Sequence, residues 1–375
     1  MKIVIASDSF KGSMSSLDVA LAAERGVCDV LPDCQVLTVN VADGGEGTVE
    51  AIVDALGGEI VRVNVSDPLG RKIETYYGIA GETAILEMAA ASGLPLLKVE
   101  ERNPWATSTL GTGEMIMDAI ARGCRKFLVG IGGSATNDAG IGMLQAMGFR
   151  FYDANGELIS QGCGGVLGSI AHIDDRLVSA AVKESQFTVA CDVDTPFCGP
   201  EGAAPVFAPQ KGADAEMVKR LDEGMASFAK VIAEKYAIDI VPVAGAGAAG
   251  GMGGAFRAFL GATLKKGIDM VLDAIDFDTT IQGANLIITG EGKVDFQTAK
   301  GKTAAGVLNR AKKQHIPVVA IGGCVEMCDS LVQMGFAGIY PILEEKVPLE
   351  IAMQRDFAMN NVRKTVARIV PNYLG

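Results

Sequence analysis

Lys2 to Ala6 is a short apolar run that stops at Ser7 and Asp8, and it reads as a buried strand. Ser15 and Ser16 then offer capping hydroxyls before Leu17, Leu21 and Val27, which mark a helix. Val36 to Val41 reads as the next strand and Glu46 to Leu56 as the next helix. A strand–helix–strand–helix start favours a parallel sheet.

The pattern changes after Val65. The turn-rich stretch Ser66 to Arg71 precedes Ile73 to Ile79 and Thr83 to Met88, two apolar runs about Gly81 that read as antiparallel hairpin strands. Phe127 to Ile131 and Phe187 to Ala190 read as further strands. From Leu286 to Thr289, through Pro317 to Ile321 and Gly338 to Ile342, strands alternate with helices again. The simplest fold is α/β: a Rossmann-like or flavodoxin-like parallel-sheet domain of residues 1–66 plus 284–375, split by an inserted mixed α+β domain of residues 67–283. The active site is expected in the cleft between them.

Composition sharpens this picture. The 47 glycines among 375 residues gather at predicted strand ends, in Val41 to Thr48, Gly130 to Asp138, Gly245 to Gly254 and Ile288 to Lys302, where acids, hydroxyls and lysines stand beside them in most cases. Glycine lets backbone amides approach an anion, and nearby carboxylates can hold a cation or take a proton, so the combination suits phosphoryl transfer. A net charge of −12 with scattered lysines and arginines argues against nucleic acid. The eight cysteines form no C-x-x-C pair and only His172 and His315 could offer imidazole, so the thiols read as reduced and mostly buried. Met1 to Ala6 is too short for a signal-peptide core, and no run reaches the ~18 apolar residues of a membrane span. A soluble cytoplasmic protein, not bound to membranes, is expected.

Each motif has a structural alternative. Asp43 to Thr48 joins a strand to a helix, where it can bind an anion or serve as a capped turn. Ser134, Thr136, Asn137 and Asp138 crowd one helix start with more polar groups than a single cap uses, which favours a ligand. Gly245, Gly247 and Gly250 satisfy G-x-G-x-x-G, but that pattern needs a preceding strand, and close packing or nucleotide contact explains the glycines better. Gly301, Lys302 and Thr303 end like a P-loop, yet Phe296 stands where its first glycine must be; Lys302 can still meet a phosphate or be solvated. Asp192 and Asp194 follow one predicted strand, and Glu291 and Asp295 another, where carboxylates bind Mg²⁺, accept a proton or cap a turn.

The chain resembles the bacterial type-1 glycerate kinases through DSFKGSMS (Asp8 to Ser15), VADGGEGT (Val41 to Thr48), EMAAASGL (Glu87 to Leu94), TSTLGTGE (Thr107 to Glu114), GIGGSATNDAG (Gly130 to Gly140), ACDVDTPFCG (Ala190 to Gly199), FAPQKGA (Phe207 to Ala213), GAGAAGGMG and ITGEGKVDFQT. The resemblance implies ATP-dependent phosphorylation of D-glycerate with Mg²⁺, and it is similar to the branch forming 2-phosphoglycerate. The 3-hydroxyl or a related hydroxy acid is the alternative; a nicotinamide oxidoreductase is remote. Ser7 departs from the family's usual proline, and Thr195 from its commoner asparagine, which touches the positioning of the Asp192 loop.

In this reading Asp192 orients and deprotonates the hydroxyl, Asp192 with Asp295 or Asp43 holds metal, and Lys11, Lys211 and the amides of Gly132 and Gly133 neutralise carboxylate or phosphates. Asp8, Ser9, Gly44, Gly45, Thr107, Ser108, Ser134, Asn137, Asp138, Gln210, Gly247, Gly250, Glu291, Gln297 and Lys302 complete the expected substrate and nucleotide contacts. A monomer or homodimer is expected.

Overall fold

The computed structural model describes residues 1–45, 47–345 and 347–373; Glu46, where the second predicted helix was to begin, lies outside them. The chain divides into two compact units, one of residues 1–43, 54–56 and 271–375, the other of residues 44–53 and 57–270. Each has its own sheet and its own apolar core.

The first unit holds five parallel strands, ordered Gly338–Pro341, Val318–Val325, Leu286–Val294, Lys2–Ile5 and Gln35–Thr38. Ile3, Ile5, Ile288, Val319 and Ile321 are buried, as continuous apolar runs in a parallel sheet covered on both faces must be. Ser15 caps the helix Ser16–Val30 in a capping box with Asp18, and the same carboxylate takes a two-pronged ion pair from Arg355 at the start of the helix Arg355–Ile369. These two helices close the core on one side.

Leu286–Val294 runs five residues past its predicted end at Thr289, with Glu291 opposite Gly322 and Val294 opposite Val325. Glu291 therefore stands inside the strand, not beyond it. A parallel partner supplies the ladder hydrogen bonds and overrides the poor strand preference of Gly290 and Gly292.

The second unit holds a mixed sheet, ordered Thr263–Lys265, Gln186–Ala190, Lys126–Gly130, Thr83–Glu87, Lys72–Ala80 and Glu59–Ser66. Its first four strands are parallel and the last two antiparallel. Glu59–Ser66, placed by its sequence position with the first domain, pairs with Lys72–Ala80 along its whole length and so belongs to this sheet. The turn between them is tied by Asp67, which accepts from the amides of Leu69 and Arg71 and pairs with the Arg71 guanidinium. Phe127 stacks on Phe187 at 4.7 Å between ring centres in the core below.

No strand precedes Gly245: residues 237–247 are turns leading into Ala248–Leu260, where Ala249, Gly250 and Gly251 are left-handed. The dinucleotide fingerprint thus lacks the strand it requires, and the oxidoreductase reading loses its one motif. Among the described residues no helix is long and apolar enough to cross a membrane.

Candidate functional site

In the first unit the order of strands reverses between Lys2–Ile5 and Leu286–Val294, because one leads on to Gln35–Thr38 and the other to Val318–Val325 on the opposite side. Ligands of open parallel sheets bind outside the strand ends at such a switch point. Asp8 follows the first of these strands and Glu291 lies in the second. They line one pocket of about 760 Å³ together with Ser9, Lys11, Asp43 and Lys302.

Asp8 is almost wholly buried, accepting from the Ser9 amide at 2.6 Å and the Thr303 hydroxyl at 2.9 Å. Burial, then the nearby Asp43 carboxylate, pushes its pKa above the usual range. Asp43 in turn lies 3.8 Å from the exposed Lys11 ammonium. Glu291 accepts from the Thr298 hydroxyl, and burial pushes its pKa up to about 7.

Asp295 accepts from the Gln297 amide at 2.8 Å and pairs with Lys293 at 3.3 Å. Burial presses its pKa upward, but that amide and lysine carry it below the usual range. Lys302 donates to the Gln297 side chain at 3.0 Å. Two hydroxyls that sequence reasoning missed, Thr298 and Thr303, therefore hold the two key carboxylates. Thr303 stood out only as the end of a P-loop-like run, and nothing in the sequence marked Thr298.

In the second unit, Glu87, Gly130, Ala190 and Lys265 are in register and end the parallel strands together. Gly44 lies across this edge with φ +86°: a Cβ there would meet the Ala190 Cβ at 2.6 Å and Gly267 at 2.8 Å, so only glycine fits. Asp192, exposed just past the edge, accepts from the Gly267 amide at 2.9 Å. Gly45 accepts from the Thr48 amide at the following helix. Glu87, another strand-end carboxylate missed by sequence reasoning, accepts from the Val49 amide at 3.1 Å. The rule that singled out Asp192 applied to it equally.

The loop after Lys126–Gly130 exposes Gly132 and Gly133 and then dives inward. Asp138, fully buried, receives four hydrogen bonds, from the Thr109 amide and hydroxyl and the amides of Gly140 and Gly142. All four partners donate, which suits an ionised carboxylate although burial pushes its pKa up. Lys211 is 1% exposed and donates to the Ser134 hydroxyl at 2.8 Å and the Thr136 carbonyl at 2.6 Å; burial pushes its pKa down to about 7.

Its ammonium is thus turned into the loop, not toward solvent. Asn137 donates to the Met225 sulfur, whereas its carbonyl oxygen and the Thr136 hydroxyl are buried without a hydrogen-bond partner. Thr107 donates to the Ala135 carbonyl and so braces the loop, whereas Ser108 accepts from the Leu110 amide within its own turn; Gln210 is exposed. Side chains at Gly247 or Gly250 would strike the Pro196 or Thr136 carbonyl oxygen at 2.1 or 2.2 Å, and close packing accounts for both glycines.

An exposed, backbone-anchored carboxylate can take a proton from a hydroxyl, and a carboxylate pair beside lysines can hold a cation with phosphates. Among the described residues no group of three or more His, Cys, Asp or Glu side chains is arranged to hold a metal ion by itself.

Residues 3–373 match the model of the glycerate kinase family. The chain is 46% identical over 357 residues to a glycerate kinase of Bacillus subtilis (strain 168), covering 94% of this chain and 93% of that protein. It is 44% identical over 375 residues to the glycerate 2-kinase of Escherichia coli (strain K12), covering 98% of each. A crystal structure from Salmonella typhimurium LT2, provisionally named glycerate kinase 2, superposes with a TM-score of 0.90 at 44% identity, covering 99% of this chain and 98% of that one. Agreement in sequence, length and three-dimensional course means that this chain belongs to the glycerate kinase family.

Proposed function

We propose that the protein transfers the γ-phosphoryl group of ATP to the 2-hydroxyl of D-glycerate, giving 2-phospho-D-glycerate and ADP. The observation that carries this reading is the end-to-end likeness to the E. coli glycerate 2-kinase, at 44% identity over 98% of both chains. We also read the second unit as an insertion, since its residues 57–270 interrupt those of the first.

In the mechanism, Asp192 takes the proton of the attacking hydroxyl, its carboxylate oriented by the Gly267 amide. The exposed amides of Gly132 and Gly133 and the Lys11 ammonium offset negative charge on carboxylate and phosphates. Lys211 acts from within, fixing Ser134 and Thr136 so that those amides keep their direction. Asp8 and Asp43 fit Mg²⁺: burial and then the neighbouring Asp43 charge raise the pKa of Asp8, a cost a bound cation would offset, and Mg²⁺ needs only one or two carboxylates beside phosphate oxygens. Bound there it would screen the phosphate charge. Asp295, already paired with Lys293, fits less well.

Phosphorus NMR of the products from ATP and D-glycerate tests the reaction. We expect equimolar ADP and a phosphate ester on C2. No glycerate-dependent ADP, or an ester on C3, overturns it.

A further inference from the structure

We propose that the pocket at the sheet edge of the first unit seats the nucleoside of ATP, its apolar wall formed by Leu343, Val347, Leu349 and Met353. The proposal rests on the kinase reading, and it assigns a nucleotide subsite that no sequence motif marks.

The pocket has two kinds of wall. One side carries the charged groups Asp8, Lys11, Asp43 and Lys302; the other carries Leu343, Val347, Leu349 and Met353, with Glu344 and Glu345 between the first two. Leu349 is 74% and Met353 36% exposed, so apolar surface is left bare beside cationic groups. Apolar surface gathered in a concave site marks a ligand seat.

Size and chemistry select the occupant. A volume of about 760 Å³ suits a ligand of nucleotide size, whereas a three-carbon acid would occupy only a corner and has no flat apolar face to cover the leucines. An adenine ring does, and a thioether such as Met353 adapts well to an aromatic face.

The two walls also meet. A Cβ on Gly12 would lie 2.9 Å from the Met353 methyl, so the apolar wall touches the turn that presents Lys11. That wall is fixed from below, because Arg355, two residues past Met353, is clamped to Asp18. A nucleoside against the leucines would thus send its phosphates toward Lys11 and Lys302, beside the Asp8 and Asp43 carboxylates.

Steady-state kinetics of Leu349→Asp and Met353→Glu, with ADP binding followed by calorimetry, test the seat. Each variant should raise KM for ATP about tenfold and weaken Mg-ADP binding to match, while KM for D-glycerate moves less than twofold. Leu349 is too exposed for its change to threaten folding, and Val332→Glu, on a different exposed apolar residue, should leave both constants alone. Photolabelling with 8-azido-ATP should mark the peptide of residues 341–353.

Unchanged ATP constants, or a label on the peptide of residues 130–138, would overturn the seat while leaving the kinase reading intact. Nucleotide binding lost in these variants, in a protein that never phosphorylates D-glycerate, would support the seat and sink the reaction. Self-association that the Leu349→Asp change abolishes, with ADP binding unaltered, would make the patch an interface and also overturn the seat.

Discussion

The two units solve opposite problems with buried charge. In the second, Asp138 and Lys211 are sealed among donors and acceptors of the loop that follows Lys126–Gly130 and of Thr109, and every named partner serves that loop's shape. In the first, Asp8 accepts from one amide and one hydroxyl and Glu291 from one hydroxyl, and both line an open pocket. A closed network fixes backbone; a half-satisfied one facing a cavity keeps capacity for a ligand. Removing a carboxylate should therefore cost stability where it is sealed and chemistry or pH response where it stays open, whichever unit carries it.

Asp192→Asn, at an exposed carboxylate of the second unit, should give the largest effect if it takes the hydroxyl proton as proposed: a ~10²- to 10⁴-fold fall in kcat with ATP affinity and melting temperature unchanged. Near-normal turnover would remove it from the mechanism. Asp138→Asn should do the reverse and destabilise the protein by about 3 kcal/mol in urea unfolding, because an amide NH₂ would face groups that themselves donate. An unaltered unfolding midpoint would show that the network is not needed as a charge.

The pH response separates the units by sign. Burial raises Glu291 from 4.5 to about 7, so its contribution to stability is full below pH 4.5 and lost as pH rises through 7. Relative to Glu291→Gln, the wild type measured in EDTA should lose on the order of 3 kcal/mol between pH 4 and 8. Lys211, lowered from 10.5 to about 7, works the other way: the second unit gains stability as pH rises from 7 to 10.5, and Lys211→Met should flatten that gain. Parallel melting curves for variant and wild type would contradict either assignment.

The smallest structural effect belongs to Lys11→Ala. Its pair with Asp43 is long and exposed, worth ~1 kcal/mol or less, so stability should hardly move while KM for ATP rises. If stability falls instead, Lys11 belongs with the closed network.

Much of this was legible in the chain. The runs at Lys2 to Ala6, Phe127 to Ile131 and Phe187 to Ala190 marked strands to within a residue or so, strand-end position singled out Asp192, and the family resemblance pointed to Asp8. The Ser15 cap was equally plain. Other residues misled because their role depends on distant partners. Lys211 has the composition of a phosphate ligand, yet folding turns it toward Ser134 and Thr136, 77 and 75 residues away in the chain. Gly247 and Gly250 look like a nucleotide loop and are instead spacers between packed backbones. Leu343, Leu349 and Met353 carry no motif at all, since apolar side chains signal burial alone.

The sequence by itself determined the alternation of strands and helices and brought acids near strand ends, because these follow from local periodicity, and it showed the family through the likeness of its ordered motifs. Which carboxylates are sealed and which face a pocket was decided only by the tertiary structure. Burial, donors and neighbouring charges come from residues remote along the chain, and these set whether an acid is structural or available for chemistry.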